Sequence, residues 1–521
     1  MPKTLYLETF GCQMNVLDSE LVLGQLRGQG YVSTDDRDTA DVVIFNTCSV
    51  REHAEQKVWS RLGQLRDRKA ADPNFVLGVI GCMAEREGAE MFKRNPHIDI
   101  LCGPAELDKL PGMVHNAVTT AATRPVDESA SREDNAGKPR SATARRLADS
   151  PKQVALMGQS VRRSSTLQVA RDELEMLDLS RVVSPGDDLS RAYVRITRGC
   201  NKFCTYCVVP HTRGPEVHRP PQNIIDEVRK LVDAGAKEVT LLGQTINHYA
   251  FDHGDSRRTT FADLLYAIHE ATPDLPRLRF VTSFPRDFSD DALDAMRDCE
   301  RICRYLHAPA QHGNNRMLKL MNRGYTIEQY RDFVDRARER MPDIAIASDF
   351  IVGFPTETDA EFDQCCDIVR YARFKNSFIF KYSPRPGTVA IDRFEDDVPE
   401  DVKRQRNNRL LDVQSEVIAA NNAAMVGQTV EVMVEGESKL VSRRAKAQNG
   451  VELGTGFTRQ VRFSGPETST HTQLVGRTRG DQIVVFDGDL SLKGGLTEVA
   501  IDRAHQMTLF GRQTRQPSLA V

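Results

Sequence analysis

The chain has 521 residues, 40% of them hydrophobic and 27% charged, with a formal net charge of −3. This length exceeds one ordinary core, so several domains are expected, with the composition of a water-soluble globular protein and no global charge to attract nucleic acid. No apolar run reaches the ~20 residues of a membrane-crossing helix, and Met1-Pro-Lys-Thr-Leu-Tyr-Leu-Glu8 places an acid where an export signal is apolar.

From the N-terminus, apolar runs alternate with helical patterns, the signature of a parallel α/β sheet. The predicted strands are Leu5–Phe10, Val42–Phe45, Phe75–Ile80 and Ile98–Leu101, and a cysteine follows each of the first three: Cys12, Cys48 and Cys82. Ligands of an open parallel sheet collect at the carboxyl edge of its strands, so these three thiols are expected on one rim. A single such cysteine is more often inert core; three at equivalent positions point to a ligand set. Gly11 and Gly81, just before Cys12 and Cys82, allow close backbone approach. Cys102 closes the fourth strand and reads as core, and Cys299, Cys303, Cys365 and Cys366 lack any strand-end context and read as packing residues.

Residues 117–188 are polar, small and charged, as in Gly137-Lys-Pro-Arg-Ser-Ala-Thr-Ala-Arg-Arg146. They read as a flexible linker or insertion. Strand and helix then alternate again. Strands at 193–197, 238–243, 278–283, 304–310, 344–353 and 378–383 make six βα repeats, an incomplete parallel barrel whose site is built from the loops after the strands. A helical segment over 400–424 leads to strand patterns at 426–434, 482–486 and 498–501, read as a small antiparallel barrel of the kind that binds loop RNA. Arg443, Arg444 and Lys446 form its densest basic patch and Phe457 and Phe463 are candidate stacking residues, whereas Phe486 reads as core. Residues 448–474 look like an insertion, and residues 512–521 like a disordered tail. The predicted organisation is thus an α/β chain: a sheet domain (1–116), a linker (117–188), a partial barrel (189–423), a small β-barrel (424–511) and the tail.

The sharpest local signal follows the first barrel strand: Cys200-Asn-Lys-Phe-Cys204-Thr-Tyr-Cys207. Three thiolates over one loop turn can hold three corners of a 4Fe-4S cube, leaving one iron open to a small molecule. A structural zinc site with His211 as fourth ligand is the alternative. Eleven cysteines, an odd number, in a chain without an export signal favour reduced ligand thiols and the cytoplasm over disulfides.

The run Arg198–Gly214 resembles the radical S-adenosylmethionine (SAM) enzymes, and within them the methylthiotransferases. Gly11-Cys-Gln-Met-Asn15, Asn46-Thr-Cys-Ser-Val-Arg-Glu52 and Gly81-Cys-Met-Ala-Glu85 resemble the family's N-terminal domain, and Gly476–Gly488 resembles its closing TRAM domain. The resemblance implies two 4Fe-4S clusters: Cys200, Cys204 and Cys207 hold the one that cleaves SAM, and Cys12, Cys48 and Cys82 hold an auxiliary one that carries sulfur. It implies SAM contacts at Tyr206, Gln244, Asn247, Gln311 and Asp349. Thr245, Phe284, His312 and Asn314 depart from the residues expected there. The Cys-Gln-Met-Asn and Asn-Thr-Cys-Ser-Val-Arg-Glu motifs resemble the tRNA-modifying branch, which adds a methylthio group to carbon 2 of N(6)-dimethylallyl(isopentenyl)adenosine beside the anticodon. Other branches methylthiolate a ribosomal-protein aspartate or threonylcarbamoyladenosine in tRNA. The implied partners are tRNA, SAM, an external electron donor and a sulfur source; no membrane is involved, and the chain is expected to act as a monomer.

Overall fold

In the N-terminal region of the computed structural model, six strands form one parallel sheet of order β2-β1-β3-β4-β5-β6. They are β1 (Thr4–Phe10), β2 (Val32–Ser33), β3 (Val42–Thr47), β4 (Val76–Gly81), β5 (Ile100–Cys102) and β6 (Val154–Leu156). The structure describes residues 2–49, 52–122, 153–156, 175–183, 189–438 and 471–514. β3 and β4 are buried along their whole length, which is why their sequences are near-continuous apolar runs. Their side chains feed two cores: Val42, Ile44 and Ile80 on one face, Val43, Phe45 and Val79 on the other.

The stretch 117–188 is not uniformly a linker. The helix Leu110–Ala122 runs into it, and β6 pairs in parallel with β5. Gln153 donates from Nε2 to the carbonyls of Pro96 and Ile98, both at 3.1 Å. Farther along, Leu177, Asp178 and Arg181 are buried. Polar composition misleads here because the segment's few apolar and charged residues are spent on docking. Residues 123–152, 157–174 and 184–188 lie outside the described residues.

The six expected barrel strands are β7 (Arg191–Arg195), β10 (Glu238–Leu242), β13 (Arg277–Phe280), β14 (Tyr305–His307), β15 (Ala345–Val352) and β16 (Asn376–Lys381). β7, β10 and β13 form one parallel sheet, β14, β15 and β16 another, and a parallel bridge between Leu278 and Ile302 joins the halves. Two short antiparallel pairs interrupt the run: β8 (Thr197–Arg198) with β9 (Val217–His218), and β11 (Ala250–Asp252) with β12 (Arg258–Thr260). Alternation sets the faces. Val194, Val239, Leu241, Phe280, Ile346 and Phe350 pack on the outer helices, so Arg195, Thr240, His307 and Asp349 face the lumen. The helices Ile327–Arg340 and Asp359–Ala372 begin with capping boxes, Thr326 with Gln329 and Thr358 with Glu361.

After the helix Glu400–Ala423, β17 (Thr429–Glu437), β18 (His471–Thr478), β19 (Ile483–Asp489), β20 (Leu496–His505) and β21 (Thr508–Gln513) close into a barrel. It is antiparallel except where β19 and β21 pair in parallel to complete it. Phe486 is core, with Val432, Val484, Val499 and Leu509. β21 carries the fold past Gly511 to Gln513, two residues into the expected tail. Arg443, Arg444, Lys446, Phe457 and Phe463, with most of 448–474, lie outside the described residues. The small barrel docks on the amino ends of the larger barrel's strands. There fully buried Arg277 donates to the Glu431 carboxylate at 2.8 Å and to the Arg477 carbonyl at 2.9 Å, and Lys375 pairs with Asp481 at 2.6 Å.

Candidate metal and cofactor site

The Cys200–Cys207 run lies in a loop closed at its base. The Cys200 amide donates to the Gly214 carbonyl at 3.1 Å, and β8 pairs with β9 across the neck. Gly199 makes this possible: at φ +66° its missing Cβ would lie 2.0 Å from the Pro215 carbonyl oxygen. The barrel holds the loop's far side. Thr205 donates from its amide to the Met321 carbonyl at 3.1 Å and from its hydroxyl to the Leu320 carbonyl at 2.9 Å. Asn322 Nδ2 donates to the Phe203 carbonyl at 2.9 Å, fixing a residue at φ +49°.

Arg323 is the central donor at this loop. Its guanidinium reaches Cys204 Sγ at 3.4 Å, the Tyr206 hydroxyl at 3.4 Å and the Pro309 carbonyl at 2.8 Å. It also stacks 4.6 Å from the Phe284 ring centroid. Cys200 Sγ lies 3.5 Å from Thr245 Oγ1. Burial, reinforced by the neighbouring Cys204, pushes the Cys207 thiol up to about 12, and burial raises Cys200 as well. Such crowded thiols do not become thiolates unaided; a cationic metal centre among them supplies the missing charge. The donor set therefore fits an iron–sulfur group.

Cys12, Cys48 and Cys82 do converge at the carboxyl edge of the N-terminal sheet. A Cβ on Gly11 would sit 2.8 Å from Cys48 Cβ, and one on Gly81, at φ +93°, would sit 2.5 Å from Asn46 Oδ1 and 2.6 Å from the Thr47 carbonyl oxygen. Only glycine lets the strand ends close up this far. Asn15 and Asn46 interlock beneath: Asn15 Nδ2 donates to Asn46 Oδ1 at 2.9 Å, and Asn46 Nδ2 returns to the Asn15 carbonyl at 2.8 Å. Cys12 Sγ is 3.2 Å from Asn15 Oδ1. Its pKa is drawn down to about 6, chiefly by a hydrogen bond with Cys48, which with the charge of Arg213 outweighs burial. Burial raises Cys82, and Arg213 opposes that rise through charge and a hydrogen bond.

Arg213 links the two sites. It lies just past the short helix Val209–Thr212 that follows Cys207, and it pairs at 3.0 Å with fully buried Asp18 on the helix after Cys12. Asp18 also takes Arg195 at 2.6 Å, and Arg195 continues to Asp178 at 2.6 Å. Arg198 and Arg219 complete this buried network. Burial alone would raise the Asp178 carboxyl; Arg195, Arg198 and Arg219 override it and hold it well below the usual carboxylate range. Arg213 falls within the Arg198–Gly214 run, where nothing in the sequence assigns it a role. Asp18 and Asp178 give no signal at all, because ion pairs that span 17 to 195 residues leave no local pattern.

The residues expected around SAM divide. Asp349 faces the lumen and binds His307 Nε2 at 3.1 Å; burial lowers the imidazole pKa, but Asp349 reverses this and raises it overall. Gln311 is buried at φ +69°, its backbone bridging Asp349 and Ile351. Asn247 is engaged with backbone: its side chain accepts from the Phe284 amide at 2.7 Å and donates to the Phe284 carbonyl at 3.0 Å. Gln244 is half-buried beside Thr245. Tyr206 packs against Met317, Met321, Phe354 and Tyr382, and burial raises its hydroxyl pKa strongly. Cys102, Cys299, Cys303, Cys365 and Cys366 are all buried. Among the described residues, no three His, Cys, Asp or Glu side chains are gathered as ligands of a single ion; a cube bound at its corners asks for a wider set.

Residues 4–103 match the Uncharacterized protein family UPF0004, and residues 194–369 match the Radical SAM superfamily. A protein of Rhodopirellula baltica named tRNA-2-methylthio-N(6)-dimethylallyladenosine synthase is 41% identical over 98% of this chain and 96% of its own length. A protein of the same name from Acetivibrio thermocellus is 39% identical over 98% of this chain and 92% of its own. Among solved structures, the radical SAM methyltransferase TsrM of Kitasatospora setae, with cobalamin and a 4Fe-4S cluster bound, has a similar fold: TM-score 0.50 at 16% identity, covering 75% of this chain and 77% of that one. On that identity, sustained along nearly its whole length, the chain belongs to the family of tRNA-2-methylthio-N(6)-dimethylallyladenosine synthases, within the radical SAM enzymes.

Proposed function

We propose that this protein is a radical SAM transferase that adds a methylthio group to carbon 2 of N(6)-dimethylallyladenosine beside the anticodon of tRNA. The observation that carries the reading is the pair of three-cysteine sites, one per domain, joined by Arg213. In this reading Cys200, Cys204 and Cys207 hold one 4Fe-4S cluster and Cys12, Cys48 and Cys82 a second. Bound there, the first supplies an open iron for SAM and the electron that breaks its sulfonium bond, and the second carries the sulfur that is methylated and inserted.

The chain's own residues do the positioning. Arg323 orients Cys204 and Tyr206; Asp349 and His307, with Gln244, Asn247 and Gln311 at neighbouring strand ends, line the SAM side of the lumen. The ionic joint through Asp18 and Asp178 fixes the N-terminal sheet against the barrel and keeps water from the space between the cysteine sets. The C-terminal barrel, in the TRAM role, adds surface for the anticodon arm, since loop RNA is gripped by shape, stacking and phosphate contacts. The electron donor and the sulfur source come from outside a single cytoplasmic chain.

Mass spectrometry of tRNA nucleosides tests this in cells that make dimethylallyladenosine but lack its methylthiolation. Expressing this chain is expected to convert the nucleoside to its methylthio form. No conversion, or a methylthio group on a ribosomal-protein aspartate instead, contradicts the reading.

A further inference from the structure

Arg213 stands on the loop of one cysteine set and acts on the other. Its amide closes the helix Val209–Thr212, donating to the Val209 carbonyl at 2.8 Å, and the carbonyl of the next residue, Gly214, takes the Cys200 amide at 3.1 Å. Both ends of the Cys200–Cys207 run therefore fix where Arg213 stands. The same short helix packs on the helix Cys82–Glu87, which opens with a cysteine of the N-terminal set. The guanidinium is buried there, its side chain 8% exposed, and Nη2 donates to Asp18 Oδ2 at 3.0 Å. It also hydrogen-bonds Cys82, and its charge acts on Cys12. Asp18 offsets that charge only in part, because its other oxygen accepts from Arg195 at 2.6 Å.

We propose that Arg213 is a positioning residue of the N-terminal cysteine set, holding the Cys82 sulfur by a charge-assisted hydrogen bond and raising the reduction potential of the group that the set binds. The inference rests on the two-site reading above. Three thiolates put negative charge into a buried site, and a sulfur carried there adds more, so a buried cation beside them is a compensating charge. A hydrogen bond to a ligand sulfur and a nearby positive charge both favour the reduced, more negative form of an iron–sulfur group, and both therefore raise its potential. A neutral side chain of similar length could fill the same space and supply neither. Because the cation comes from the loop of the SAM-cleaving set, the N-terminal set reaches its full potential only with the two domains docked.

The test is a redox titration of the iron-loaded, full-length chain followed by electron paramagnetic resonance. Added SAM separates the signals: the one it alters belongs to Cys200, Cys204 and Cys207, and the unaltered one to Cys12, Cys48 and Cys82. Arg213→Gln is expected to make reduction of the unaltered centre about tenfold less favourable, a fall of about 59 mV for one electron. Arg213→Lys, which keeps the charge, should lose less. Asp18→Asn, which removes the counter-charge, should move the same potential upward. In all three the SAM-altered signal should keep its potential. Iron-retaining variants that leave the unaltered signal where it was, or that move it in the same direction for Arg213→Gln and Asp18→Asn, overturn the inference, as does a shift confined to the SAM-altered signal. Loss of the N-terminal iron from both Arg213→Gln and Asp18→Asn also overturns it, since Arg213 is then scaffold alone; loss from one leaves the other to decide. A wild-type chain with a single, SAM-altered signal removes the two-site reading itself and this inference with it.

Discussion

Asp178 receives three arginines in a fully buried setting. Removing one partner of such a network strands the others' charge without solvent, which is far costlier than never having built it. Asp178→Ala is therefore expected to lose about 3–5 kcal/mol of stability, read as a shifted denaturant midpoint. A change below 1 kcal/mol would mean that the arginines find other partners. The cysteines make a second residue-scale prediction. On the proposal that each three-thiol set holds its own cube, the loaded chain is expected to hold about eight irons, falling to about four when Cys200, Cys204 and Cys207 all become alanine. Stoichiometric zinc, or an unchanged iron count, contradicts the two-site account. At this scale the sequence was most readable where chemistry repeats a spacing, as in the six cysteines. It was silent where the partner lies far along the chain, as with Arg213 and Asp18 or Arg323 and Cys204.

The joint between the two barrels is built from the ends of elements: Arg277 at the start of β13, Glu431 in β17, and the turn after β18 that carries Asp481. Burial would raise the Asp481 carboxyl, but Lys375, Arg477 and Arg279 bring it down to about 2. A lowered folded-state pKa stabilises above the ordinary carboxylate value and ceases to do so as pH falls toward about 2. At neutral pH the shift is worth about 2 kcal/mol. Asp481→Asn should therefore lower the melting temperature at pH 7, and its gap from wild type should narrow between pH 4 and pH 2. A gap independent of pH would assign the loss to packing instead. Long elements were legible from pattern alone: β3 and β4 as unbroken apolar runs, and the helix Glu400–Ala423 as the segment expected over 400–424. The two-residue β2 and three-residue β6 were not, because so short a strand has no period to read, and β6 sits in a stretch whose overall polarity suggests a linker.

For the whole molecule, three units are locked by buried ionic joints at both ends of the central barrel, and among the described residues no helix is long and apolar enough to cross a membrane. Deleting residues 424–521 strips Glu431 from Arg277, so the truncated protein is first to be checked for retained iron. With iron retained, it is expected to bind tRNA more weakly than the intact chain and with a shallower salt dependence, because phosphate contacts have been lost, while SAM binding holds. Equal tRNA affinity in both forms would give the small barrel another task. The proposed division of labour between the two cysteine sets is tested by one assay: 5′-deoxyadenosine and methylthiolated nucleoside measured together for Cys12→Ala. The account predicts that SAM cleavage persists while the methylthiolated product disappears. Equal loss of both, or survival of the methylthiolated product, would contradict it.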